Sequence, residues 1–207
     1  MSPVLGADEK ASFGHPMPTL GKRFDRPRLY RSQTRRSPNS RRMAAVTTDR
    51  VVQLFDEHGE RKDKFSTKPA QPDGVKNFVV RGMAFSPDSA KLAIAQSDNI
   101  VFVYKLGLDW GDKKSICNKF LQSKPVTALT WPQRRHNEVV FGLTEGKVKV
   151  GQLKTNKAAT LYAHPDGAYV VALASSPCGE KICSGHVDGL SRRHIRRCRR
   201  RAQRRTR

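Results

Sequence analysis

Four prolines divide this chain into units. Pro38, Pro87, Pro132 and Pro177 lie 49, 45 and 45 residues apart. Pro38-Asn39, Pro87-Asp88-Ser89 and the segments 132–137 and 177–181 all read as turns. Proline fixes φ, and Asp, Asn and Ser side chains hydrogen-bond to their own backbone. A second turn follows each proline at a near-constant interval. Asp49-Arg50, Asp98-Asn99, Glu145-Gly146 and Asp188-Gly189 begin 11, 11, 13 and 11 residues after the prolines. Two-residue loops of this composition close β-hairpins. The stretch 81–106, RGMAFSPDSAKLAIAQSDNIVFVYKL, shows the unit most clearly. It predicts strands over 82–86, 91–97 and 100–106, the last rich in β-branched and aromatic residues.

Outer-strand candidates follow at 64–67, 115–121 and 158–163. A repeat of about 40–45 residues carrying four strands is the signature of a WD40-type β-propeller blade. Ile100-Val101-Phe102-Val103-Tyr104 is apolar on both faces, as expected of a strand covered on both sides. Leu92-Ala93-Ile94-Ala95 places small residues where sheets must pack closely. The expected fold is therefore all-β: an incomplete WD40-type propeller over 37–189, of about three to four blades of four antiparallel strands. The first unit lacks a recognisable innermost strand, because 29–36 reads LYRSQTRR. The last lacks its outer half, because an Arg-rich run follows Leu190. Propellers close with roughly four to eight blades, and open edges expose unpaired backbone. The expectation is a fragment of a larger propeller.

The charge is uneven. Of the net +22, residues 1–42 carry +7, residues 190–207 carry +10, and 43–189 carry only +5. The middle uses fifteen Lys and five Arg, the two ends together two Lys and eighteen Arg. Residues 1–36 and 190–207 are accordingly read as disordered basic segments. The abrupt change of cation raises the hypothesis that the ends are translated outside the protein's own frame. Peptides from 190–207 in the native protein would sink it. The cysteines, Cys117, Cys178, Cys183 and Cys198, form no Cys-x-x-Cys pair and have no zinc-like His spacing, which points to scattered reduced thiols. Residues 1–30 lack the apolar run of a signal peptide, and no run is long enough for a membrane-spanning helix.

The wording of the loops is more specific than the repeat. DRVVQLFDEHGERKDKFSTKPA (49–70), VRGMAFSPDSAKLAIAQSDNIVFVYKL (80–106), DWGDKKSICNKF (109–120) and FGLTEGKVKV (141–150) resemble the N-terminal WD40 region of the intraflagellar transport protein 172 family. The resemblance spans about three quarters of the chain, 37–189. It implies a piece of two N-terminal propellers that precede a helical solenoid. It also implies a non-enzymatic scaffold in cilium assembly, with the other complex B transport subunits as partners. The implied location is the cilium or flagellum and the ciliary base, on the cytoplasmic side.

Chemical candidates are few. Gly142-x-x-x-Gly146-Lys147-Val148 falls one residue short of a phosphate-binding loop and lacks its Ser or Thr. Ser184, His186 and Asp188 alternate along one strand end, and a WD40-type turn accounts for all three without a catalytic triad. Trp110 and Trp131 are read as blade packing, and the charges of 61–64 and 113–114 as solvated loops. No catalytic, cofactor-binding or metal-ligating residue is expected. The tail 190–207 has no aromatic side chain for base stacking, so polyanion binding there would be non-specific and salt-sensitive. Two alternatives stand beside the scaffold: a basic nucleic-acid-binding protein using the Arg-rich ends, and a membrane-coat-like propeller subunit.

Overall fold

The computed structural model describes residues 33–71, 78–189 and 191–195, the last five as backbone. Its strands form four antiparallel sheets, each wound in chain order. The first holds β1 (Gln33–Arg36), β2 (Met43–Val46), β3 (Val51–Phe55) and β4 (Arg61–Ser66). The second holds β5 (Val80–Phe85), β6 (Lys91–Gln96), β7 (Ile100–Lys105) and β8 (Ser115–Leu121). In the third are β9 (Val126–Thr130), β10 (Glu138–Leu143), β11 (Lys147–Gln152) and β12 (Lys157–Ala163). The fourth has β13 (Val170–Ser175), β14 (Lys181–His186) and β15 (Ser191–Ile195). The leading strands β1, β5, β9 and β13 neighbour one another in that order. Successive sheets thus fan around a common axis, as propeller blades do.

Local chemistry places the turns. Two residues beyond each proline the backbone turns left-handed: Ser40, Ser89, Arg134 and Gly179 have φ of 61°, 59°, 65° and 72°. Ser37, Ser86 and Ser176 precede three of the prolines, and their Oγ atoms accept the N–H groups of Arg42, Lys91 and Lys181 at 2.9, 2.9 and 3.0 Å. Each serine closes its turn from inside. At Gly179 the need for glycine is steric as well, because a Cβ there would lie 1.7 Å from the Gln133 carbonyl oxygen of the preceding sheet.

Packing follows from the two-faced strands. In the second sheet Leu92, Ile94, Ile100, Phe102 and Tyr104 face the first sheet, where they meet Val46, Val52 and Leu54. The alternate residues Ala93, Ala95, Val101 and Val103 face the third sheet and meet Val139, Phe141 and Leu143. Val140, Val148 and Val150 then meet Val170 and Ile182 of the fourth. The double burial predicted for 100–104 is present in full.

Both ends of the folded region extend further than the sequence suggested. Gln33–Arg36 is a strand, with Gln33 opposite Val46 and Arg36 opposite Met43, so the boundary at 36 and the missing innermost strand are corrected. Pairing is a main-chain property and needs no apolar run. Arg35 adds a link by donating from Nε to the Met83 carbonyl at 3.1 Å. Likewise Ser191–Ile195 pairs along β14, with Lys181 opposite Ile195, which corrects the start of the disordered tail at 190. The open N–H and C=O groups of β14 accept any backbone. The expected disorder of 1–32 and of 196–207 lies outside the described residues, as does Cys198.

Candidate interaction surface

A wound antiparallel sheet has two rims. One carries the hairpin turns between its second and third strands, together with the connections between sheets. At two of these turns the acidic residue engages the incoming connection. Asp98 Oδ2 accepts the Ala70 N–H at 2.8 Å, and Asp188 Oδ2 lies 2.9 Å from His164 Nε2. The Asp166 N–H points at His164 Nδ1, 3.3 Å away, so the proton of that ring sits on Nε2, toward Asp188.

Beside it, Ser184 Oγ is 3.0 Å from His186 Nε2, and His186 Nδ1 is 2.8 Å from the Ala168 carbonyl oxygen. A carbonyl only accepts, so Nδ1 carries the proton and Ser184 donates to Nε2. Hydroxyl and imidazole are thus aligned as a nucleophile and base would be. However, Ser184 is 0% exposed and His186 3%, so neither presents a reacting atom to solvent. Asp188 orients a different imidazole, on the preceding connection. The three residues singled out from the sequence are brought together as a seam between the third and fourth sheets, with Tyr162 edge-on to both rings. His164 was missed; only its place one unit before the Asp188 turn could have flagged it.

Asp98 has a measurable consequence. Burial pushes its carboxyl above the ordinary range, and the Ala70 N–H bond opposes this. A raised folded pKa means that ionisation costs more in the fold than in the unfolded chain. Stability therefore falls as pH rises from about 3.9 through the folded value, and is level above it. Asp98→Asn keeps an oxygen for Ala70 and removes the charge. It is expected to abolish this part of the slope and leave the neutral-pH urea midpoint equal or slightly higher. A variant whose midpoint-versus-pH curve runs parallel to the wild type from about pH 3.5 to 7 would sink the assignment.

Gly142 belongs to packing. A Cβ on it would lie 2.5 Å from Val170, and Gly146 sits left-handed at φ 73° in the hairpin turn. Trp131 is buried and donates from Nε1 to the Arg135 carbonyl at 2.9 Å.

The opposite rim carries the proline turns and the connections from third to fourth strands. Two charged runs expected to be solvated loops lie there. Arg61, Lys62 and Lys64 are solvated but lie in β4, and Lys113 is exposed. Lys114 departs from the expectation, being only 5% exposed at its side chain and ion-paired with Asp63. Its ammonium also donates to the Trp110 and Asp112 carbonyls, both at 2.7 Å. Burial of a lysine is tolerated because all three N–H donors are satisfied. Trp110 packs at the edge of the core between the first two sheets, and the Arg42 guanidinium lies 4.9 Å from its ring centroid. Arg41, Arg42, Asp56, Glu57, His58, Leu108 and Trp110 line a cleft of about 460 Å³.

The four sheets, their repeated turns and their loop-bearing rims define a WD40-type propeller segment. The WD domain, G-beta repeat family matches residues 155–192. The intraflagellar transport protein 172 of Chlamydomonas reinhardtii is 61% identical over 155 residues, or 74% of this chain. The Homo sapiens homolog is 55% identical over 160 residues, or 77% of this chain. Intraflagellar transport protein osm-1 of Caenorhabditis elegans is 44% identical over 154 residues, again 74% of this chain. The matched segment is homologous to the intraflagellar transport protein 172 family. It spans about 9% of the length of each of these relatives.

Proposed function

We propose that this chain is a non-enzymatic interaction module of an intraflagellar transport scaffold. It would serve in cilium assembly and in transport along the axoneme, through contacts of its rims with other complex B subunits. The observation that carries the reading is the 61% identity with an intraflagellar transport protein over 155 residues. The geometry is compatible with it. The Ser184–His186 pair is enclosed, and exposed polar groups lie on the turns and on the outer strands β4, β8 and β12, open to a partner. The proposed location is the ciliary base and cilium, facing the cytoplasm. The Arg-rich residues 190–207 would add at most salt-sensitive polyanion contact.

The test is a tagged full-length gene product in a ciliated cell, followed by imaging and by sedimentation of the transport complexes. Enrichment at the ciliary base and axoneme with co-sedimenting transport subunits is expected. Nucleolar staining that disappears on removal of 190–207 would favour the nucleic-acid alternative instead. Association with vesicles in a cell without cilia would favour the coat-like one.

A further inference from the structure

The leading strands of three successive sheets share one irregularity, a slip of one residue in their pairing. Val80 and Gly82 pair with Gln96 and Ala95, Val126 and Ala128 with Leu143 and Gly142, and Val170 and Ala172 with His186 and Gly185. Arg81, Thr127 and Val171 are the extra residues. A β-bulge of this kind leaves one residue outside the ladder and re-aims its side chain. All three bulges are firmly anchored. The valine before each is buried. The carbonyl just before that valine accepts an N–H from the end of the neighbouring strand, from Ser97, Thr144 and Val187 at 2.9, 3.1 and 3.1 Å.

The three bulge residues line one cleft of about 460 Å³, together with Thr144 and Tyr169. Their side chains differ in kind. Arg81 is exposed and makes no ion pair or side-chain hydrogen bond among the described residues. It is the one charged side chain among the described residues of the cleft wall. Thr127 Oγ1 is buried and has no hydrogen-bond partner among the described residues. Buried hydroxyls are nearly always bonded, so this one points to a ligand group. Tyr169 and Val171 are exposed and add an apolar wall. Neighbouring charges do not cancel the guanidinium. Glu145, next to Thr144, is paired with Lys147 at 3.2 Å. Asp166 is exposed on the connection before Tyr169 but does not line the cleft, and Lys124, next to Pro125, is a further exposed cation. A guanidinium beside a hydroxyl suits a carboxylate: the fork donates two N–H bonds in one plane and the hydroxyl a third. Phosphate readers use clusters of Arg instead.

We infer that this cleft takes an extended acidic segment of a partner protein. One Asp or Glu carboxylate of the segment sits on Arg81 and Thr127, and an adjoining apolar side chain packs against Tyr169 and Val171. The inference rests on the reading of this chain as an interaction module and names where contact is made. Because the partner is unidentified, the probe is a library of displayed random twelve-residue peptides. They are selected on the purified full chain, and the enriched peptides are titrated in solution by fluorescence anisotropy. The expected result is enrichment of peptides with Asp or Glu next to Leu, Ile, Val or Phe. Arg81→Ala should weaken their binding at least about tenfold, the loss of roughly 1.4 kcal/mol of affinity. Replacing the peptide's carboxylate by its amide should do the same. Arg81→Lys should recover only part of the loss, because the charge returns without the fork. The melting temperature of Arg81→Ala should match that of the wild type, since the side chain is exposed and unpaired. No enrichment, enriched peptides without a carboxylate, binding indifferent to Arg81→Ala, or tighter binding of a phosphoserine than of a glutamate version would overturn the inference. Peptide selection reads this cleft and sedimentation reads the transport role, so either can fail while the other stands.

Discussion

Replacing Phe141 with alanine is expected to destabilise the fold by about 3–5 kcal/mol, near the upper end for a single core truncation. Phe141 is 0% exposed. It projects from β10 toward the second sheet, where its ring centroid lies 6.2 Å from that of Phe120. Ala93 and Ala95 face it in the same cluster, with Val101 and Val103 beside them. Small residues on one sheet make the space that the ring of the next sheet fills, so the contact is an interdigitation of unlike sizes. Rigid strands anchored on both sides cannot close over the cavity, and this puts the cost above the bare transfer term. The check is a urea titration in which the midpoint falls while the slope is unchanged. Leu121→Ala, at a side chain 65% exposed, should stay within about 0.5 kcal/mol. A Phe141→Ala cost below about 1 kcal/mol would mean that the second and third sheets are not close-packed there.

What could be read from the sequence was whatever local stereochemistry writes into it. The proline turns and hairpin turns need left-handed residues at fixed places, and Asn99, Gly146, Gly179 and Gly189 supply them. Burial on two faces needs apolar residues at successive positions, and Ile100 to Tyr104 supply those. The strand at 33–36 could not be read in this way, because it is recruited by the open edge of β2 and its own residues are polar. The same holds for Ser191–Ile195 against β14. Pairs that join one sheet to the next were also invisible. His164 meets Asp188 across a connection, and Asp63 meets Lys114 across 51 residues. Each residue alone looks like an ordinary surface group, and only the stacking of blades gives it a partner.

Lys114→Met is the second large effect, expected to cost about 2–4 kcal/mol. The substitution keeps the stem's apolar packing but removes a cation whose three donors are all in use. It leaves the Asp63 carboxylate without its cation, with the Lys64 N–H still bonded to Oδ1, and leaves the Trp110 and Asp112 carbonyls without this donor. Asp63, at 20% side-chain exposure, can regain some water, which keeps the estimate below that for a fully enclosed pair. Asp63→Leu alone should cost less, about 1–3 kcal/mol, because the ammonium retains two carbonyls. In the double variant no charge is left unpaired, so the combined cost should fall short of the sum by about 1 kcal/mol or more. A second readout separates loop anchoring from simple destabilisation. Hydrogen exchange at Leu108 and Asp109, whose N–H groups are held by Asp112, should accelerate in Lys114→Met more than exchange in β10. If Lys114→Met costs less than about 0.5 kcal/mol and leaves exchange at Leu108 unchanged, Lys114 behaves as a solvated charge. The loop would then be held by Arg42 and Asp112 alone.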